Sequence, residues 1–429
     1  MNRRTLLVLA AAAAIVVGWA IWLNGSSRHE SDGERRALLV PSLADGLDSI
    51  ERLRITGPGA EALVTLARSE SGWVVAERDD WPADVGQLRG FLVGLSQARK
   101  LEAKTALSRN YSQLGVEDVS EPAGKGVRLD LNWPDASTSL IIGLNNPNGR
   151  GSFVRTPGQA QSWLTDTDLA VERNPARWLS RSLLSVAESE LASLSLEQPD
   201  GKTLQLLRSE ASDQDIWTLQ PLPDGRQANQ TALAGAAGFL DGLRLEDVKR
   251  AEPPEEAPER VATFIRLDGV RVSLRLWPDD SGQVQPGAMP WAAIDVDFDE
   301  SQALEYHTLE WRKDQRAMAA AEEPAPGAEG ADEVSDQPEL PEAAGDAASA
   351  AETSDRSGDT DDVPAEPAAA TDDTDAVSPS ALDVAARVAA SRAEAQALDA
   401  RLDGWLFKLP AFKLANLRRE SQDFLIPET

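Results

Sequence analysis

Leu66-Ala67-Arg68-Ser69-Glu70, followed by Gly72-Trp73-Val74-Val75, decides the fold, because the chain writes this stretch twice. The echo is Leu206-Leu207-Arg208-Ser209-Glu210, followed by Ile216-Trp217-Thr218-Leu219. Gly90-Phe91-Leu92-Val93-Gly94-Leu95 returns as Gly238-Phe239-Leu240-Asp241-Gly242-Leu243, and the offsets of 140, 144 and 148 point to small accumulating insertions. Upstream, Ile50, Leu53 and Ile55 match Leu191, Leu194 and Leu196. Downstream, Leu131-Asn132-Trp133-Pro134-Asp135 resembles Leu276-Trp277-Pro278-Asp279. Self-similarity in one order predicts a duplicated structural unit.

Each copy reads as strands and a helix. Ile50 to Ile55 and Ala62 to Arg68 alternate apolar and polar residues, the pattern of half-buried strands. Gly72 to Ala76 supplies a third strand, with Trp73 expected between sheet and helix. From Asp84 to Leu95, Leu88, Phe91, Leu92 and Leu95 share one helical face. Strands follow at Val127–Leu131, Ser139–Ile142 and Ser152–Arg155, the last two separated by Asn145-Asn146-Pro147-Asn148-Gly149, whose Asn-Gly is a hairpin signal. Copy one closes at Trp178-Leu179-Ser180-Arg181-Ser182-Leu183-Leu184. The expected class is α+β, an antiparallel sheet packed by a helix, in tandem over residues 48–188 and 189–314.

The first residues, Met1-Asn2-Arg3-Arg4-Thr5, are basic, and residues 6–23 read LLVLAAAAAIVVGWAIWL. At 1.5 Å per residue this run covers about 27 Å, close to the ~30 Å of bilayer hydrocarbon. Trp19 and Trp22 sit where indoles favour the headgroup layer, and Arg3 and Arg4 favour a cytoplasmic N-terminus. A cleaved signal peptide is the competing reading. Its apolar core spans about 7–15 residues and ends at small residues, whereas this run is longer and ends in Trp22-Leu23. We therefore expect a single-pass inner-membrane anchor that contacts the lipid bilayer through residues 6–23. A juxtamembrane linker over 24–47 follows, and the bulk of the chain is periplasmic. Both readings export the body.

The net charge of −29 is unevenly placed: residues 321–380 hold 18 of the 71 Asp and Glu and one basic residue, Arg356. Residues 315–380 are rich in Ala, Pro, Glu, Asp and Ser, bury too little to offset ordering entropy, and are expected to be disordered. No basic stripe exists to neutralise phosphates, which excludes nucleic acid as an expected partner. The 12 tryptophans among 22 aromatic residues predict Trp-centred packing. With no cysteine, neither disulfides nor thiolate chemistry enter. Structure resumes over 381–429, where Leu398, Leu402 and Leu406 form an apolar stripe at helical spacing. There Trp405-Leu406 is read as echoing Trp178-Leu179 and closing copy two.

These features resemble a family known as domain of unknown function 4340. The resemblance rests on the N-terminal anchor, on Ser71-Gly72-Trp73-Val74-Val75, and on Pro82-Ala83-Asp84 entering a helix that ends Gly94-Leu95. It continues through Arg109-Asn110-Tyr111-Ser112-Gln113-Leu114-Gly115-Val116 and the closing Gly404-Trp405-Leu406-Phe407-Lys408-Leu409-Pro410-Ala411-Phe412-Lys413. Residues 315–380 depart from the family pattern. What the resemblance implies is an auxiliary component of an ABC-type transport system, with a permease and ATPase or a gliding-motility-like subunit as partners. It carries over no catalytic, cofactor or metal residue.

The residues themselves offer little chemistry. Histidine occurs only at His29 and His307, too few for a zinc site of three or four close ligands. Neither accompanies a Gly-x-Ser-x-Gly nucleophile. Asp295, Asp297 and Asp299 share one strand face and are hard oxygen donors suited to Ca²⁺, but Ile294, Val296 and Phe298 on the other face favour a half-solvated strand. Asp279-Asp280-Ser281-Gly282 reads as a turn. No phosphate cradle is present, so ATP hydrolysis would belong to a partner. Trp73, Trp133, Trp217 and Trp277 recur at matching positions and are expected in the core rather than on a carbohydrate platform. We expect a non-enzymatic protein without cofactor or metal. The alternative is an independent envelope protein that binds or scaffolds peptidoglycan or polysaccharide.

Overall fold

Alternating apolar residues give each strand one inward face, and the computed structural model describes how residues 36–209, 217–278, 290–322 and 379–427 use it. A short helix, α1 (Pro41–Gly46), precedes a meander of β1 (Arg52–Thr56), β2 (Ala62–Ser69), β3 (Gly72–Val75) and β4 (Trp81–Pro82). Helix α2 (Val85–Gln97) then crosses to the far edge strand β5 (Lys100–Ala103). After α3 (Tyr111–Leu114), the chain returns beside β1 with β6 (Val127–Asn132), β7 (Ser137–Asn145), β8 (Ser152–Arg155) and β9 (Ser162–Thr165). The sheet order is β4-β3-β2-β1-β6-β7-β8-β9-β5.

A short strand, β10 (Ser182–Leu184), leads into the second unit. There β11 (Leu191–Glu197), β12 (Thr203–Arg208) and β13 (Trp217–Gln220) precede helix α4 (Gln230–Ala237) and β14 (Leu243–Arg244), the partner of β10. β15 (Asp247–Arg250), β16 (Arg260–Arg266), β17 (Val270–Trp277), β18 (Trp291–Phe298) and β19 (Trp405–Lys408) complete the sheet. Its order, β13-β12-β11-β16-β17-β18-β19-β15, is that of the first sheet without β4. Registers agree as well. Leu53 faces Leu66 and Ile55 faces Val64, as Leu194 faces Leu206 and Leu196 faces Leu204. The α+β class and its antiparallel sheets are therefore present, and the duplicated motif sits at equivalent strands: Arg68 faces Trp73 as Arg208 faces Trp217.

Other sequence matches need correction. Asp84 and Asn229 cap their helices by accepting from Gln87 N and Ala232 N, which pairs Leu88, Leu92 and Leu95 with Leu233, Ala237 and Leu240. The repeated Gly-Phe-Leu is thus mid-helix in copy one, but in copy two it forms a 3-10 turn, Gly238–Leu240, beyond a shorter helix. Trp133 follows β6, whereas Trp277 ends β17, the counterpart of β7, so these two are not equivalent. Trp178-Leu179 is echoed by Phe424-Leu425 rather than by Trp405-Leu406. Asp84 N donates to Trp178 O at 2.7 Å as Asn229 N donates to Phe424 O at 2.8 Å, and bridges join Ala83 to Leu179 and Ala228 to Leu425. β19 is instead the counterpart of β9.

The second unit consequently does not close at residue 314. Everything between β18 and β19 stands where residues 156–161 join β8 to β9 in the first. Helix α5 (Glu300–Glu322) continues through the expected start of the acidic linker at 315, and α6 (Pro379–Leu402) returns beside it. Ala303, Val384 and Val388 pack together with Phe298 and Trp311 against them, which fixes this helical pair. α6 ends at Leu402, and Gly404 takes a left-handed φ of +76°, so Leu406 lies in β19 and not on the helical stripe. A last helix, α7 (Ala411–Leu417), follows. Residues 323–378, most of the acidic segment, and residues 6–23, read as the anchor, lie outside the described residues. Among the described residues no helix is long and apolar enough to cross a membrane.

One continuous core joins the units, containing Leu53, Leu66 and Leu92 together with Leu194, Leu206 and Phe264. At the junction, Trp81 meets Trp405 and Phe407 edge-on, with ring centroids 5.0 and 5.5 Å away, and its Nε1 donates to Ser180 O at 3.0 Å. Beside it Arg78 forms a two-point pair with Asp247 at 2.6 and 3.2 Å, and Arg250 N donates to Asp79 Oδ2 at 2.9 Å.

Candidate functional site

The duplication supplies an internal control, because equivalent positions carrying different residues leave a groove open in one unit and sealed in the other. In the first, Arg68 near the end of β2 donates through Nη1 to Asp48 O at 3.0 Å, bringing the turn Leu47–Ser49 over the sheet. The capped start of α2 lies opposite. Between them is a recess of about 360 Å³ with an apolar wall of Leu47, Trp73, Val85 and Leu92, flanked by Arg68 and Arg89. Trp73 stays half-buried, and Val85 is 53% exposed. Across Arg68 a second recess of about 540 Å³ is lined by Glu51, Arg52, Asn132 and Trp133, whose Nε1 donates to Gly46 O at 2.7 Å.

In the second unit Arg208 repeats the anchoring bond, donating to Glu188 O at 3.0 Å. Here the groove is closed. Trp217 is fully buried and donates through Nε1 to Glu188 Oε1 at 2.6 Å, and Gln230, at the position of Val85, donates to Trp217 O at 2.9 Å. The helix presents Ala234 and Ala237 where the first presents Arg89 and Leu92. Small residues let helix and indole approach, and the added hydrogen bonds leave no polar group of the tryptophan unsatisfied. Glu188 and Gln230 thus spend their polar groups internally, while Arg89 and Val85 face solvent. The open copy is the candidate site.

The helical pair brings together residues that sequence spacing did not connect. His307 Nε2 lies 3.1 Å from Ser391 Oγ, and that hydroxyl donates to Asp268 Oδ2 at 3.1 Å. Arg266 binds Asp268 at 2.8 Å and Glu394 at 2.6 Å. A nucleophilic triad needs histidine between serine and carboxylate. Here serine is the middle member, its proton is directed to Asp268, and it is buried, so the group ties the helices to the β16–β17 turn. Burial, only partly offset by Asp268, lowers the His307 pKa below its usual 6.5. The imidazole is then neutral in both states above 6.5. As pH falls from 6.5 toward the folded value, the unfolded chain takes up the proton first and stability is lost. We expect the melting temperature to fall more steeply from pH 7 to 5 in wild type than in His307→Gln. Parallel profiles would refute this.

Asp295 and Asp297 of β18 and Asp299 just beyond its end divide their roles. Asp295 forms a two-point pair with Arg275, both contacts at 2.9 Å. Asp299 accepts from Gln302 N at 3.1 Å at the start of α5 and lies 3.5 Å from Arg271, while Asp297 faces Arg271 across the ladder. Among the described residues no group of three His, Cys, Asp or Glu could hold a metal ion. His29 and the stretch from Asp279 to Gly282 lie outside the described residues. The Tyr111 to Val116 element is a packing device. Tyr111 lies 4.6 Å under the Arg155 guanidinium and donates to Ala160 O at 2.6 Å, and Arg155 Nε donates to Val116 O at 2.8 Å. Gly115, at φ +68°, ends the short helix, and its carbonyl sits so close to Gly126 and Gly143 that neither tolerates a Cβ.

Fold and groove together define a tandem α+β protein in which, among the described residues, the recess beside Trp73 is open in one unit and its equivalent beside Trp217 is filled in the other. Residues 73–261, from β3 into β16, match the family described as Domain of unknown function (DUF4340). No curated protein and no solved structure matches the chain.

Proposed function

We propose that the chain is a non-enzymatic, membrane-anchored periplasmic accessory subunit of an ABC-type transport complex, and that the open groove beside Trp73 is where it meets another subunit. The carrying observation is the contrast between the copies. Val85 and Arg89 stand in the first where Gln230 and Ala234 stand in the second, so the first keeps an apolar recess, rimmed by Arg68, Arg89 and Asp48, that its twin seals. The apolar run 6–23 behind Arg3 and Arg4 supports the anchor, and the groove wall begins at Leu47, where the juxtamembrane stretch ends. Half-exposed indoles and arginines are the residue types enriched at interface anchors. Full-length chain purified in mild detergent after co-expression with an ABC-type ATPase and permease from the same organism should retain both. Recovery of neither would overturn the reading.

One observation favours a second reading, an independent envelope protein that binds or scaffolds peptidoglycan or polysaccharide. Half-buried Trp133 stands beside Glu51, Arg52 and Asn132 in the larger recess, and an indole among hydrogen-bonding side chains suits a sugar ring. Quenching of intrinsic tryptophan fluorescence by a soluble muropeptide, lost in Trp133→Leu, is the outcome this reading requires.

A further inference from the structure

Far from the groove, the second unit holds a recess of about 370 Å³ where the β11–β12 turn (Gln198, Asp200, Lys202) meets Arg260 and the C-terminal residues Glu420 and Ser421. Arg260 is 5% exposed, and a buried guanidinium normally has a carboxylate partner. This one has none among the described residues: Nη1 donates to Arg419 O at 3.1 Å, and Nε has no partner. Gln198 repeats the anomaly, since its Oε1 accepts from Ser421 at 3.1 Å while its Nε2 is buried without an acceptor.

The neighbouring carboxylates do not fill the gap. Glu259 pairs with Arg418 at 2.8 Å, Asp200 with Lys202 at 2.7 Å, and the Glu420 side chain caps the turn Ser421–Phe424. Burial accordingly outweighs their field and lowers the Arg260 pKa, leaving a desolvated cation and two buried, unused donors in side chains that line one cavity.

We propose that this recess binds a compact oxyanion, a carboxylate or a phosphate group, through the Arg260 guanidinium and the Gln198 amide. An oxyanion supplies the acceptors both donors lack and neutralises the buried charge. Asp200 and Glu420 at the mouth repel a second negative charge, so a monoanion is preferred to a polyanion. Either could accept a hydroxyl or ammonium group carried on the same ligand. The site is independent of the groove, and the two readings can fail separately.

The test measures melting of the full-length protein in nanodiscs while acetate, inorganic phosphate or chloride is titrated at matched ionic strength. At ~100-fold excess over half-saturation, the preferred oxyanion should raise the midpoint by about 3–5 °C over chloride. A larger acetate response assigns carboxylate, and a larger phosphate response assigns phosphate. Phosphate also stabilises proteins by exclusion from their surface, so the decisive quantity is the difference between wild type and variants. Gln198→Leu should shift the half-saturating concentration at least tenfold, and Arg260→Gln should abolish the response. Should Arg260→Gln fail to fold, Gln198→Leu decides alone, because its residue lies in a half-buried turn. Equal midpoints in all three salts, or an unchanged response in Gln198→Leu, overturns the proposal.

Discussion

Trp81→Ala is expected to destabilise the protein by about 3–5 kcal/mol and to split its unfolding into two transitions. Trp81 is 4% exposed and belongs to the first unit by sequence, yet its ring packs on Trp405 and Phe407 of the second. It lies in β4, the strand without a counterpart in the second sheet, so the duplication did not need it to build either unit. Its packing therefore contributes to coupling more than to the stability of one copy. Truncation leaves a cavity between the sheets and strands Ser180 O without its donor. Arg78 is about a quarter exposed, and Arg78→Ala should cost only about 1 kcal/mol and keep a single transition. Calorimetry of both variants checks the pair. A single Trp81→Ala transition displaced by less than about 1 kcal/mol would show that the core is joined elsewhere.

The sequence made the duplication legible where the evidence was local. Strand alternation around Leu53, Leu66 and Trp73 has period two, and its echo around Leu194, Leu206 and Trp217 keeps the same register, so both could be read without tertiary information. It failed where one motif serves two geometries. Gly-Phe-Leu is compatible with a helix interior and with a 3-10 turn, and only the caps at Asp84 and Asn229 reveal that the second helix is shorter. The true echo of Trp178-Leu179, Phe424-Leu425, was hidden because helices α5 and α6 and the segment between them displace it, and Trp405-Leu406 offered a nearer look-alike. The contacts of Trp81 leave no periodic trace. The groove was invisible for a related reason: openness depends on what Val85 and Arg89 do not bond, which emerges only beside Gln230 and Trp217.

Val85→Gln combined with Arg89→Ala should reduce recovery of the ATPase and permease at least about 30-fold, equivalent to losing roughly 2 kcal/mol at an interface hot spot. The two changes install the residues of the sealed copy at the rim of the open one. Val85 is 53% exposed and Arg89 is exposed, so the fold should hold within about 0.5 kcal/mol, and a melting curve verifies that before any binding is scored. The glutamine introduced in place of Val85 would then be positioned to donate to the carbonyl of Trp73, as Gln230 does to Trp217, drawing the helix toward the indole. A blue shift of tryptophan emission would report that movement. Arg89→Glu separates electrostatics from shape: if an acidic partner surface docks here, reversal should weaken recovery more than Arg89→Ala and the loss should deepen at low salt. Full recovery from the folded double variant would mean that the groove is not the contact surface, and the asymmetry between the copies would then need an explanation other than partner binding.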